Sequence, residues 1–323
     1  MWLDVLIVAF GFAGLIWGAD KFVAGASAMA LNWGVTPLMI GLTIVAFGTS
    51  APEFFSSAIA AIEDQAAIAI GNALGSNIFN IGVALGIAAL IRPIIPPSSM
   101  CKRELPALLL VTIVTGFLFA NLYLGPYDSV ILIALFAFVA VYLSRPEEDT
   151  GDGSATAHDE ETSIIPMSTS RASLFLMLGL ALLIFGAEAL VSGATAIATE
   201  LGVSSAIIGL TIVAFGTSLP ELAACVASVL KGQSDLAIGN IVGSNVLNLL
   251  VVLPFPGLLA AGMIETNLLT RDYLAMLAMT LVLAAAIFWT IKSGKSIGRA
   301  CGVVFLLMYA AWFTTLIQQA QGS

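Results

Sequence analysis

Apolar stretches of about 20 residues or more follow one another down the whole chain, and that is the length an α-helix needs to cross a bilayer. Fifty-nine per cent of the 323 residues are apolar and only 10% are charged, so a soluble globular fold is excluded. Cutting at charged or Gly/Pro-rich breaks predicts an all-α polytopic membrane protein with ten helices. They lie near 3–28, 36–62, 67–91, 104–121, 127–144, 172–198, 204–230, 236–260, 272–291 and 298–317. The first run, MWLDVLIVAFG, has Asp4 where a signal peptide carries basic residues and continues past a signal-peptide core, so it is read as a retained span.

A formal net charge of −9 with 11 Lys plus Arg argues against nucleic-acid binding through a basic surface. Three cysteines (Cys101, Cys225, Cys301) and one histidine (His158) leave no disulfide framework, zinc constellation or histidine dyad. Cys225 reads as a small packing residue. No cofactor is expected, and the chemistry falls to carboxylates, amides and hydroxyls. With the N-terminus outside, Lys21, Arg92, Lys102, Arg103, Arg145, Arg171, Lys231, Lys292, Lys295 and Arg299 fall at inner loops and span ends, and only Arg271 falls outside. That asymmetry puts both termini outside. The small size, short linker and lack of a regulatory domain point to a bacterial inner membrane.

Residues 145–171 are polar, Gly/Ser/Thr-rich and free of aromatics, with two arginines against seven acids. The segment reads as a solvated cytoplasmic linker, with His158 in it, joining a first five-helix repeat (1–144) to a second (172–323). Its acids lack EF-hand spacing.

The halves share a repeat. GLTIVAFGTSAPE at Gly41–Glu53 recurs as GLTIVAFGTSLPE at Gly209–Glu221, an offset of 168, and the same offset maps AIGNALGSNIFN (Ala69–Asn80) onto AIGNIVGSNVLN (Ala237–Asn248). Gly18, Ala19, Asp20 and Gly25 map more weakly onto Gly186, Ala187, Glu188 and Gly193. Five spans per half is an odd number, so the halves enter the membrane with opposite polarity. Inverted repeats of this kind build secondary transporters, with the ion site at the midplane.

Glu53 and Glu221 sit inside long apolar segments with no lysine or arginine at matching depth, where an ionised carboxylate persists only beside water, a partner or an ion. Two such groups give the −2 charge a hard divalent cation needs. Pro52 and Pro220 lack an N–H and free carbonyls four residues back, at Gly48 and Gly216. Ala46, Thr49, Ala214 and Thr217 are then able to aim backbone oxygens inward. Thr49 and Ser50 share a helix side with Glu53, as Thr217 and Ser218 do with Glu221. Asn72, Ser76 and Asn80 form one polar stripe, and Asn240, Ser244 and Asn248 another. The alternative for such stripes is helix glue beside small residues. The reading adopted puts Ser76, Asn80, Ser244 and Asn248 at the ion and uses Asn72, Asn77, Asn240 and Asn245 to tie broken helix ends. Asp20 and Glu188 are read as charges at the mouths.

At GTSAPE, GSNIFN, GTSLPE and GSNVLN the chain resembles the calcium/cation antiporter superfamily, most closely its bacterial sodium/calcium exchangers, with alpha motifs at 41–80 and 209–248. The resemblance implies exchange of extracellular sodium for cytoplasmic calcium at four clustered sites. By position, Glu53 and Glu221 would bridge the calcium site and neighbouring sodium sites, with Thr49, Ser50, Thr217 and Ser218 ligating through backbone and hydroxyl oxygens. Ser76 and Ser244 would complete the flanking sodium sites, Ala46 and Ala214 would supply carbonyls, and Asn80 and Asn248 would sit at the middle site. Asn248 stands where many such exchangers carry Asp, which argues for potassium independence, whereas Pro254 and Pro256 resemble the potassium-dependent branch. A proton/cation exchanger is a further alternative.

The partners implied are calcium, sodium and the lipid bilayer, with a monomer as working unit. The expected mechanism is alternating access, gated by sliding of the Gly/Ala-rich first and sixth helices. A membrane hydrolase would need a nucleophile elbow, HExxH or catalytic histidine that the chain lacks. A channel would need no counter-ion.

Overall fold

The computed structural model describes residues 1–144, 166–202, 212 and 214–322, and the fold is a bundle of α-helices. In chain order these are α1 (Trp2–Trp33), α2 (Pro37–Thr49), α3 (Ala51–Ile62), α4 (Ala66–Ile91), α5 (Glu104–Phe119), α6 (Pro126–Ser144), α7 (Thr169–Glu200), α8 (Leu219–Leu230), α9 (Ser234–Leu259), α10 (Leu268–Ser293) and α11 (Arg299–Gly322). Seven of them, α1, α4, α6, α7, α9, α10 and α11, are long and apolar enough to cross a membrane; α2 with α3, bent by 45° at Ser50, makes an eighth. α5, at 16 residues, is shorter than a full crossing, and the expected span at 204–230 is described as a helix only in the turn Ala214–Gly216 and in α8. The linker lies almost entirely outside the described residues, as does His158.

Local sequence explains where helices stop. α1 runs five residues beyond its predicted end and closes on Gly34, whose φ of 67° is the left-handed conformation a C-terminal cap requires. The Thr36 hydroxyl accepts from the Met39 N–H and Pro37 opens α2, a start in which the missing proline N–H costs nothing. Among the described residues, π-helix is wound over Gly41–Val45 in α2, Asn80–Leu85 in α4, Asn248–Val252 in α9 and Leu268–Tyr273 in α10. The sequence analysis did not foresee them. Two two-residue strands, β1 (Tyr123–Leu124) and β2 (Gly262–Met263), pair antiparallel.

The interior divides in two. A large apolar core joins α4, α5, α6, α9, α10 and α11 and includes Cys225, as the packing reading expected. A smaller one is centred on α1 and α7, around Leu15, Phe22, Val23, Leu176 and Leu183. These two helices lie antiparallel with backbones in close contact. A Cβ on Gly11 would meet Leu190 N at 2.6 Å, one on Gly18 the Leu183 N at 2.9 Å, and one on Gly25 the Leu176 N at 2.5 Å. Gly179, Gly186 and Gly193 face α1 in the same way. Six glycines spaced by seven on two helices make a continuous seam where only hydrogen fits. α9, by contrast, is enclosed on almost all sides.

Candidate ion-binding site

Ala46, Thr49, Ser50, Glu53, Ser76, Asn80, Ser218, Glu221, Ser244 and Asn248 are each at most 4% exposed. Thr217 is half-buried, and Ala214 lies in the short turn Ala214–Gly216. The two motifs meet because α3 and α8 each begin just after a break, at Ser50 and Ser218, and a proline in the second helical position restarts the helix with its glutamate in the first turn. The helix N-terminus favours the negative charge there.

Each motif holds the other's glutamate. Ser50 Oγ donates to Glu221 Oε1 at 2.9 Å and lies 3.0 Å from Ser244 Oγ. Ser218 Oγ donates to Glu53 Oε1 at 2.9 Å and lies 3.1 Å from Ser76 Oγ. The asparagines repeat the exchange: Asn80 Nδ2 donates to Asn245 Oδ1 at 3.1 Å, and Asn248 Nδ2 donates to Asn77 Oδ1 at 3.0 Å. Thr49 Oγ1 donates to Asn240 Oδ1 at 3.2 Å and Thr217 Oγ1 to Asn72 Oδ1 at 3.4 Å. Every pair of bonds is related by the 168-residue offset of the sequence repeat.

These bonds leave acceptors over, beside two amide donors, Asn240 Nδ2 and Asn245 Nδ2, that also find no partner. Glu53 Oε2, Glu221 Oε2, Asn80 Oδ1 and Asn248 Oδ1 are buried and make no hydrogen bond. An unpaired buried acceptor costs about 1–3 kcal/mol, and more when charged. Four oxygens left in this state, two of them carboxylate, are the donor set of a hard cation such as calcium or sodium. Among the described residues no group of three or more His, Cys, Asp or Glu forms a site for a softer metal.

Some expectations are corrected here. Asn72 does tie a broken helix, donating to the Glu53 carbonyl at 3.3 Å and to Ser57 Oγ at 2.9 Å, and Asn240 meets Thr49 at the other side of that break. Asn77 and Asn245 do not tie helix ends: they bracket Asn248 and Asn80 across the α4–α9 contact, and Asn77 Nδ2 reaches the Asn245 carbonyl at 3.1 Å. The Ala46 carbonyl is not left free, since it accepts the Ser50 N–H at 3.0 Å and lies 3.4 Å from Thr49 Oγ1. Only its second lone pair is left for an ion. The π-helical stretches begin at Asn80 and Asn248 themselves, turning both side chains relative to a regular helix.

The family described as "Sodium/calcium exchanger protein" matches residues 3–145 and 172–318, nearly the whole chain. The chain belongs to the sodium/calcium exchanger family. It is 42% identical over 318 residues to CaxA of Alkalimonas amylolytica, covering 97% of this chain and 98% of that one. It is 37% identical over 321 residues to the inner membrane protein YrbG of Escherichia coli, covering 98% and 97%. A solved structure of the sodium-calcium exchanger NCX_Mj, soaked with sodium and calcium, matches with a TM-score of 0.82 at 32% identity, covering 97% of this exchanger and 98% of that chain. This exchanger is therefore a multi-pass membrane antiporter of cations, and its fold is that of NCX_Mj.

Proposed function

We propose that this exchanger moves sodium against calcium through one oxygen-lined cluster at the centre of the bundle. The ligands are Glu53 and Glu221 with Thr49, Ser50, Ser76 and Asn80 from one motif, Thr217, Ser218, Ser244 and Asn248 from the other, and carbonyls of Ala46 and Ala214. The single observation that carries this reading is the set of four buried oxygens, on Glu53, Glu221, Asn80 and Asn248, that protein donors leave unpaired. Calcium and several sodium ions use overlapping ligands, so binding one weakens the other. An empty site leaves two buried carboxylates uncompensated, which makes its crossing costly and favours exchange over leak.

The architecture proposed is ten spans in two inverted five-span halves, both termini outside, working by alternating access as a monomer. The motif identity at constant offset and the charge asymmetry of the loops support it. The sliding element is the α1–α7 pair. Its glycine seam, which holds the two backbones in contact, favours motion as one body against the rest.

The test is radiocalcium uptake into proteoliposomes loaded with sodium and diluted into sodium-free medium. Uptake that needs internal sodium is expected, and E53Q or E221Q abolishes it while the protein remains folded. Sodium-independent uptake points to proton coupling or a channel and overturns the reading. The second reading, potassium-dependent exchange, is favoured by Pro254 and Pro256 and countered by Asn248, and adding potassium inside the vesicles decides it.

A further inference from the structure

α1 carries Asp20 and Ser27 seven residues apart, two turns along one side of the helix. Both meet the turn 231–233 that joins α8 to α9. Lys231 Nζ lies 2.6 Å from Asp20 Oδ1, with Lys21 also at 3.2 Å from Asp20 Oδ2, and Ser27 Oγ donates to Gln233 Oε1 at 2.5 Å. One helix of the α1–α7 pair is thus fastened twice to the turn between α8 and α9.

The 168-residue offset places Glu188 opposite Asp20, Thr195 opposite Ser27, Glu63 opposite Lys231 and Gln65 opposite Gln233. The two turns have the same backbone. Asp64 and Gly232 have φ of 59° and 74°, and the Gln65 and Gln233 N–H groups donate at 2.8 Å to Ala60 and Ser228 carbonyls. Gln65 and Gln233 differ by only a few degrees in φ and ψ. What differs is the side chains and what they touch. Glu63 and Glu188 are exposed, and among the described residues no cation pairs with either. Thr195 Oγ1 makes no hydrogen bond, and Gln65 Nε2 reaches back to Glu63 at 3.4 Å. The turn at 63–65 is exposed, whereas 231–233 is half-buried.

We propose that Asp20–Lys231 and Ser27–Gln233 form a latch that holds the α1–α7 pair against the α8–α9 turn, and that Glu63 and Glu188 prevent the matching latch at the α3–α4 turn. The inference rests on the alternating-access reading. When the pair moves to engage the second turn as it now engages the first, the repeat brings Glu188 toward Glu63, and two carboxylates meet where the first turn has opposite charges. An exposed ion pair adds little to overall stability. A two-state equilibrium, however, responds to the difference between its states, and here attraction on one side and repulsion on the other act in the same direction. The exchanger rests with the α8–α9 side closed, the cytoplasmic side in the orientation proposed above.

Hydrogen–deuterium exchange of the full-length protein in proteoliposomes, read on peptides covering 228–235 and 60–67, tests the latch. K231E replaces attraction by repulsion, and exchange at 228–235 should accelerate roughly fivefold or more. E63K should slow exchange at 60–67. The charge-swapped pair D20K with K231D should restore protection at 228–235, an outcome that separates a latch from simple loss of folding. Unchanged exchange in K231E, or acceleration that the swap does not reverse, overturns the latch. Sodium-driven calcium uptake by the wild-type vesicles is measured beside it: its loss would count against the transport reading, and unmoved protection with uptake intact would count against the latch alone.

Discussion

Glu53 and Glu221 each receive one hydroxyl from the opposite motif and keep one oxygen unpaired, so each serine both positions a carboxylate and leaves it short of partners. Ser50→Ala removes the donor to Glu221 Oε1 together with a hydroxyl oxygen proposed to ligate the ion. A hydrogen bond to a charged group is worth about 1.5–3 kcal/mol, so calcium affinity should fall about tenfold to a hundredfold. Isothermal titration in detergent checks this, and an affinity within twofold of wild type would remove Ser50 from the site. The glutamates and serines were legible because the sequence states them twice, at depths where a lone acid is costly. The roles of Asn77 and Asn245 were not legible, since their partners are chosen by how α4 and α9 cross.

At the scale of elements, breaks and π-helical turns bring the proposed ligands together. The proline signal predicted a disrupted turn ahead of Pro52, eased by Gly48, and the 45° bend occurs within that turn, at Ser50. Proline does not announce the π-turns at Asn80 and Asn248, which depend on packing against neighbouring helices. The glycine seam is a sequence pattern whose partner only the fold supplies. A Cβ on Gly179 would lie 2.3 Å from Phe22 N, contact no side-chain rotation relieves. Gly179→Val should therefore lower the melting temperature, with overpacking costing about 1–3 kcal/mol, and should slow exchange further by forcing α1 and α7 apart. A thermal scan paired with uptake checks it, and wild-type values in both would mean the seam tolerates separation.

For the whole molecule, two cores matter more than any single contact. Between the α1–α7 pair and the bundle lies an apolar groove of about 480 Å³, open on its outer side, bounded by Phe22 and Leu180 on one side and by Leu42, Phe47, Phe136 and Leu247 on the other. It reaches Gly48 and Leu247, neighbours of the proposed ligands Thr49 and Asn248. Joining the pair to the bundle should stop turnover and leave binding intact. Cysteines at 20 and 231, in a chain with Cys101 and Cys301 changed to serine, bridged by a bifunctional thiol reagent, provide the test. Undiminished exchange after quantitative bridging would show that the pair does not move.

The sequence by itself determined that this chain lives in a membrane, that its halves repeat, and that two carboxylates with hydroxyl and amide neighbours form its polar centre. Hydropathy, period and the cost of a buried charge are local properties, and each is written in consecutive residues. Only the tertiary structure decided which oxygens remain unpaired, which asparagines face each other, and which of two equivalent turns is fastened to the α1–α7 pair. Those depend on distances between residues far apart in the chain, and a repeat that is symmetric in its motifs becomes asymmetric where Lys231 faces Asp20 and Glu63 has no such partner.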